Sequence, residues 1–172
     1  MCLIRSHLIS ESVAIETRNT FYPNVVIACG SRSTVRIGDG NAFHTSTYLR
    51  ADLGGAIIVR NGTEFGDGFF SAIADRAAAR IEIGSGCRFT GGVRAFGNTS
   101  CGDGAQVHGA INVLSCVLAA GGTFEHPDPD ERGAVLKGHG VARNLHIGKG
   151  EVIAGFGDFD QGSIVRQRTF HP

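Results

Sequence analysis

The chain has 172 residues, which is the length of one ordinary domain and enough to bury a core without disulfides or a structural metal. Sixteen basic and sixteen acidic residues give a formal net charge of zero, so the overall charge does not favour a nucleic-acid or anionic-membrane partner. The start, MCLIRSHLISESVAIETRN, is broken by charged residues, and no apolar run reaches the length of about 18 residues that a membrane span needs. We therefore expect a cytoplasmic protein with no membrane or nucleic-acid partner.

The five cysteines are an odd number and form no C-x-x-C pair. Cysteines of this kind are typical of reduced, buried side chains rather than of disulfides or metal ligands. They are Cys2, Cys29, Cys87, Cys101 and Cys116.

Residues 1–34, which include NTFYPNVVIACGSRST, precede the clearest repeat in the chain. The end of a repeat array has to cover its exposed strands. We therefore predict that residues 1–34 form a lead-in that caps the array.

Residues 35–119 repeat with a period of six. Neither the 3.6-residue period of a helix nor the two-residue period of one strand explains such a step, whereas short strands joined by turns do. The recurring phrases IGDG, FGDG, IGSG, CGDG and IGKG supply the glycines and aspartates that tight turns need. The main series of small or apolar residues is Val59, Phe65, Ser71, Ala77, Ile83, Phe89, Ala95, Cys101, Val107, Val113 and Ala119, and an earlier one is Ile37, Phe43 and Leu49.

Two insertions separate the phases of the repeat. The first lies around Arg50 to Ile57, and the second is a long loop at residues 120–145, followed by a final coil and tail at residues 146–172. A coil of a repeat array can carry an outward loop without disturbing its neighbours. The step resumes after the long loop at Ile147, Ile153, Phe159 and Val165.

The alanine-rich segment SAIADRAAAR has a composition that also permits a helix. Ser71 and Ala77 in this segment stay in the six-residue phase, so we predict coil strands here and keep the helix as the alternative.

The six-residue step, in which an aliphatic residue is often followed by glycine, resembles the left-handed parallel β-helix of the hexapeptide-repeat acyltransferases. The resemblance covers about residues 35–119 and 147–165. It implies an all-β solenoid in which three six-residue segments make one triangular coil. Carbonic anhydrases of the γ class and noncatalytic subunits share this fold, so the repeat alone does not specify a function.

The long loop contains His126-Pro127-Asp128-Pro129-Asp130-Glu131-Arg132. This run resembles the H-P-x-D-P-x-x-R loop of the maltose, galactoside and nodulation-factor O-acetyltransferases, one residue shorter between the first proline and the aspartate. The resemblance implies that His126 is the catalytic base, because an imidazole can take a proton from an acceptor hydroxyl at neutral pH. The alternative is a rigid solvated turn in which His126 has no catalytic role.

The same resemblance implies acetyl-coenzyme A as the acyl donor, lying along the last coils, and no metal. Ala154 and Gly155 are the small residues along which the pantetheine arm would lie, and Arg166 and Arg168 are the predicted contacts to the phosphates. The alternative for the two arginines is a solvated basic tail. Only about one full coil follows the loop, so the wall that would hold the cofactor is short.

A zinc site is an alternative use of the histidines. His108 lies 18 residues before His126, so the two would stack if the phase continued, and stacked histidines can hold zinc. A surface turn is the favoured interpretation of His108. We further expect His139 in a loop and His146 facing outward.

These features predict transfer of an acetyl or similar acyl group from coenzyme A to a hydroxyl or amine of a sugar or other small metabolite. The resemblance also implies a homotrimer. Two alternatives stay open, which are a noncatalytic β-helix scaffold or binding subunit and a zinc protein like the γ-class carbonic anhydrases.

Overall fold

The structure, a computed structural model, describes residues 8–170. Cys2 and His171 lie outside the described residues. Within residues 8–170 there are 21 short strands and three short 3₁₀ helices. The strands are β1 (Leu8–Ile9), β2 (Ala14–Ile15), β3 (Thr20–Phe21), β4 (Val26–Cys29), β5 (Thr34–Ile37), β6 (Ala42–Phe43), β7 (Thr47–Ala51), β8 (Ala56–Val59), β9 (Glu64–Phe65), β10 (Phe70–Ala74), β11 (Arg80–Ile83), β12 (Arg88–Thr90), β13 (Val93–Phe96), β14 (Ser100–Cys101), β15 (Gln106–His108), β16 (Ile111–Leu114), β17 (Val117–Leu118), β18 (Val135–Arg143), β19 (His146–Ile147), β20 (Glu151–Asp158) and β21 (Val165–Arg166). The 3₁₀ helices are Pro129–Glu131, Gln161–Ser163 and Gln167–Thr169.

Every third strand pairs in parallel with its equivalent in the next coil, which gives three faces and a parallel β-helix. Face 1 contains β1, β4, β7, β10, β13, β16 and the second half of β18. Face 2 contains β2, β5, β8, β11, β14, β17 and β19. Face 3 contains β3, β6, β9, β12, β15, the first half of β18, and β20. The predicted all-β solenoid with an inserted loop is therefore confirmed.

The core is a set of ladders, because residues at the same position in successive coils lie directly above one another. On face 3 a column of four phenylalanines is stacked with ring-centroid distances of 5.1, 4.8 and 5.5 Å. Stacked, buried rings of this kind contribute large apolar area to the interior. The column is Phe21, Phe43, Phe65 and Phe89, and it continues as Val107, Leu136 and Ile153.

Most of the six-residue series points inward as predicted, from Val59 and Phe65 to Val113. The inward position predicted for Ala77 is wrong, because this residue is exposed in the turn between β10 and β11. Ala119 is half-buried, and its neighbour Leu118 occupies the core. Ser71 is buried but pairs with outward-directed neighbours, and Ala72 takes the inward place beside Leu49 and Ala95. After the long loop Ile147 and Ile153 are buried, Phe159 is half-buried and Val165 is exposed.

The helix considered for SAIADRAAAR does not form, since this segment contains part of β10, a turn and the start of β11. Its buried alanines, Ala72, Ala74 and Ala79, belong to the hydrophobic core. Small residues at inward positions therefore serve packing here rather than helix formation.

The boundaries differ from the predicted ones. Residues 8–34 are not a separate cap, because β1 to β3 pair with β4 to β6 as an ordinary first coil. The inserted loop ends at Ala134 rather than at residue 145, because β18 rejoins faces 3 and 1 from Val135 onward. No helix among residues 8–170 is long and apolar enough to cross a membrane.

A column of glycines forms the corner where β18 turns from face 3 to face 1. A Cβ atom on Gly109 would lie 1.8 Å from the carbonyl oxygen of Gly138, and one on Gly138 would lie 1.9 Å from that of Gly155. Both residues also have positive φ angles, 117° and 128°, which disfavour side chains. His139 at this corner is part of β18, not of a loop as expected, and its ring stacks on Phe156.

Candidate functional site

The inserted loop leaves the stack after β17 and closes on itself. Gly122 N donates to the carbonyl oxygen of Glu131 and Gly133 N donates to that of Gly122, at 2.8 and 2.9 Å. Inside this closure, Asp128 accepts from the backbone N–H of Asp130 at 3.0 Å and so begins the 3₁₀ helix Pro129–Glu131. The HPDPDER run is thus an ordered turn held by its own backbone.

His126 lies on this turn, and the Nδ1 side of its ring contacts the backbone of the turn. Its Nδ1 is 3.1 Å from the carbonyl oxygen of Asp128 and 3.3 Å from the backbone nitrogen of the same residue. The tautomer with a proton on Nδ1 donates to that carbonyl and leaves Nε2 as a proton acceptor, whereas in the other tautomer the backbone N–H of Asp128 donates to Nδ1 and Nε2 carries the proton. Gly122 packs against the imidazole, since a Cβ atom on Gly122 would lie 2.9 Å from His126 Cδ2. The ring is half-buried.

The C-terminal tail is tied to the same turn by ion pairs. Arg166 Nε lies 3.2 Å from Asp130 Oδ1, Arg168 Nε contacts Asp130 Oδ2, and Arg168 Nη2 lies 3.5 Å from Asp128 Oδ1. Burial raises the pKa of Asp130, but hydrogen bonds and charge from the two guanidinium groups outweigh it, and the pKa is lowered from its ordinary value. The two arginines predicted to contact coenzyme A phosphates are therefore engaged by the loop.

A groove of about 420 Å³ lies on face 3 beside the loop and the tail. Its volume falls within the range of about 300–1,000 Å³ that is usual for small-molecule sites. A larger open groove, of about 610 Å³, lies on face 2, but residues of the inserted loop do not line it. The groove on face 3 is lined by Gln106, His108, Phe124, Arg132, Val135, Lys137, Val152, Ala154, Gln167 and Phe170.

Arg132 connects the groove with His126. Its Nε donates to the backbone carbonyl of His126 at 2.7 Å, while its side chain lines the groove. His126 itself is not part of the lining. The predicted base and the groove are therefore neighbours through one residue of the loop.

His108 is part of strand β15 and not a surface turn, contrary to expectation. Its Nδ1 lies 2.8 Å from Thr90 Oγ1 and its Nε2 lies 3.0 Å from Gln106 Oε1. Burial lowers the pKa of His108, and the positive charges of Arg88 and Lys137 lower it further. The two hydrogen bonds hold the ring in place in the groove, and the lowered pKa favours its neutral form.

His108 does not stack on His126, as the zinc site would need, because His108 pairs with Lys137 in the next coil. Among residues 8–170 no group of three or more histidine, cysteine or acidic side chains could hold a metal ion. His146 is exposed on β19, as expected.

The two small residues assigned to the pantetheine arm lie on β20 with different surroundings. Ala154 is exposed and lines the groove. Gly155 follows it, pairs with Gly138, and has the ring of Phe159 across its face at 3.9 Å from an added Cβ.

Sequence reasoning missed Phe124, Arg132, Lys137 and Phe170 as groove residues. Phe124 and Phe170 are exposed aromatic side chains in nonrepetitive segments, which is a usable signal for a binding surface. No pattern in the sequence places Lys137 beside His108. The two residues are 29 positions apart, which is not a multiple of the six-residue step.

No protein-family model matches the chain, and no curated protein matches it in sequence.

Proposed function

We propose that this protein transfers an acyl group from coenzyme A to a hydroxyl or amine of a small molecule, with His126 as the general base. The observation that carries the proposal is the position of His126 Nδ1 at 3.1 Å from the carbonyl oxygen of Asp128. In the tautomer that donates to this carbonyl, Nε2 is free to accept the proton of the acceptor.

The chemistry needs no covalent enzyme intermediate. The acceptor oxygen or nitrogen loses its proton to Nε2 of His126 while it attacks the thioester carbonyl, and the carbon–sulfur bond of the donor breaks as the tetrahedral intermediate collapses. The proton held by His126 then passes to the leaving thiolate. Acetyl-coenzyme A would be the donor substrate, with its pantetheine arm along Ala154 and Gly155, where side chains are small.

His126→Ala tests the proposal directly. A general base contributes about a hundred- to ten-thousandfold in rate, so this change should nearly abolish acyl transfer and leave coenzyme A affinity unchanged. The assay follows thiol release from acetyl-coenzyme A with a panel of sugars, amino sugars and hydroxy acids. His139→Ala is the matched control, because its ring stacks on Phe156 at the corner and not in the loop. Wild-type turnover by the His126→Ala protein would refute the assignment.

A noncatalytic binding scaffold is the second candidate. The observation that favours it is the pairing of Arg166 and Arg168 with Asp130, which removes both arginines as free phosphate contacts. Titration calorimetry with coenzyme A separates the two candidates. Heat of binding at one site per chain supports the acyltransferase, and absence of binding at millimolar coenzyme A supports the scaffold.

A further inference from the structure

The groove on face 3 has an apolar body. Val135 and Val152 form its buried floor. Ala154, along which the pantetheine arm of the donor would lie, also lines the groove, so the acyl end of the donor would meet the acceptor there. Phe124 from the loop and Phe170 from the tail flank it, with 42% and 54% of their surfaces exposed. Exposed rings beside an apolar floor favour a ligand with an apolar body of its own.

The charges around this apolar body are positive. Arg132 and Lys137 line the groove, and the lining contains no aspartate or glutamate. Other cations near the loop are in ion pairs, since Arg166 and Arg168 contact Asp130 and Lys149 contacts Glu131. Arg88, whose guanidinium lies 4.9 Å from the centre of the Phe124 ring, contacts Glu64. Within residues 8–170 neither Arg132 nor Lys137 takes part in an ion pair.

A buried polar group at the end of the groove also has spare bonding capacity. Gln106 is 8% exposed, and its Oε1 bonds to His108 Nε2. Its Nε2 has no hydrogen-bond partner in the described part of the chain and can donate to a ligand. Two cations and one amide donor together form a site that matches an anionic oxygen group.

We propose that this groove is the acceptor site and that the acceptor is a small carboxylate with an apolar body, rather than a neutral sugar. The carboxylate would lie between Arg132 and Lys137, and the apolar body would lie over Val135 and Val152 between the two phenylalanine rings. The role of this ligand as acceptor rests on the proposed function, whereas its chemical class rests on the groove alone.

Equilibrium binding tests the ligand class without any catalysis. The probes are 4-hydroxyphenylacetate, its neutral amide 4-hydroxyphenylacetamide, and glucose, each titrated into the wild-type chain by calorimetry. We expect the acid to bind at least about tenfold more tightly than the amide, because charge-assisted hydrogen bonds are stronger than neutral ones, and glucose not to bind. Equal affinity of acid and amide, or a preference for glucose, would overturn the proposal.

Two variants locate the binding. Lys137→Met removes one of the two cations but keeps the apolar stem, so it should reduce the preference for acid over amide, and Phe124→Ala should weaken the binding of both probes. Arg36→Met and Leu53→Ala are the matched controls, since both are exposed and lie outside the groove. If the controls change binding as much as the groove variants do, the site lies elsewhere.

Two further measurements separate this proposal from the proposed function. If the acid binds as expected but no thiol is released from acetyl-coenzyme A, the acyl-transfer proposal fails and the ligand class stands. If coenzyme A displaces the acid competitively, the groove belongs to the donor, and its assignment to the acceptor is overturned.

Discussion

His126 depends for its position on a residue that has no side chain. The imidazole lies against Gly122, where an added Cβ would come within 2.9 Å of both His126 Cβ and Cδ2. Real Cβ atoms do not approach carbon this closely, so Gly122→Ala must move either the ring or the turn that carries it.

Gly122→Ala should therefore lower acyl transfer by about a hundredfold, as expected when a reacting group is misplaced by about 1 Å. Coenzyme A affinity should not change, because the displaced group is the base. Gly66→Ala is the control, since its Cβ would meet only the flexible side chain of Glu64, at 3.2 Å. Transfer rates measured alongside the melting temperature distinguish a displaced base from a disordered loop, and a normal rate for Gly122→Ala would contradict this role.

His108 provides a second test at a single residue, through its lowered pKa. Burial, then Arg88, then Lys137 lower this pKa from the ordinary value of 6.5. Below that pH the unfolded chain binds a proton that the folded chain excludes, so the free energy of unfolding should fall as the pH drops from 6.5 towards the folded pKa. Above it the group is neutral in both states and contributes no pH dependence.

Lys137→Met should raise the pKa of His108, because a nearby positive charge is removed. NMR titration of the ring protons measures this pKa, and the pH dependence of denaturant unfolding gives the corresponding stability. Arg36→Met, on face 2, serves as the control. An unchanged His108 pKa in the Lys137→Met protein would show that the two side chains are not coupled.

The inserted loop and the tail form one unit through Asp130. This carboxylate contacts Arg166 and Arg168, and Arg166 Nη1 also donates to the carbonyl oxygen of Lys149 at 3.0 Å. β21 is an antiparallel strand of two residues, so it depends on these contacts more than on its own ladder.

Asp130→Asn should release β21 from the turn while leaving the coils folded. We expect faster amide hydrogen exchange at Val165 and Arg166 and little change in the core strands. Glu131→Gln is the control, because it removes only the exposed pair with Lys149, and exposed pairs contribute little. The lowered pKa of Asp130 means that the same release should occur in the wild-type protein only below pH 3.8, as the carboxylate is protonated. Protection that persists in the Asp130→Asn protein at neutral pH would contradict the coupling.

How far the sequence predicts the elements depends on coil length. Phe89 pairs with Val107, 18 residues on, and here the six-residue step identifies inward residues correctly. Phe65 pairs with Phe89, 24 residues on, because a corner turn carries extra residues, and the step fails at Ala77 in this coil. Hydrophobic periodicity indicates which residues face inward. Extra residues at an exposed corner shift the inward positions, but small residues such as Ala77 still fall on the six-residue step, so the sequence does not show the shift.

The candidate site was only partly predictable for a related reason. His126 is identified by a local run of residues, so the sequence alone indicates it. The groove is assembled from β15, β18, β20, the loop and the tail, and its register depends on a 29-residue coil between Gln106 and Val135. Loop closure, rather than a repeat, determines that register, so Lys137 and Phe170 could not be placed beforehand.

The faces of the β-helix differ in polarity, and the most apolar face is the candidate surface for self-association. On face 1, Ile73, Phe96 and Leu114 lie side by side in successive coils, directed outward and half-buried. A flat apolar row of this kind is suited to burial against another copy under cyclic symmetry. On face 2 the equivalent outward row contains Glu82, Ser100 and Val117 and is more polar.

We therefore expect a homotrimer with a mass of three times 18.0 kDa, held through face 1. Phe96→Glu should dissociate it, because an unpaired carboxylate is costly in an apolar interface. Val117→Glu, on face 2, adds the same charge at a residue that is 39% exposed and should leave the trimer intact. Light scattering after size exclusion, at micromolar concentration, reads the mass of each protein. A wild-type mass of one chain would refute the trimer. If Val117→Glu dissociates the trimer and Phe96→Glu does not, the interface lies on face 2 and not on face 1.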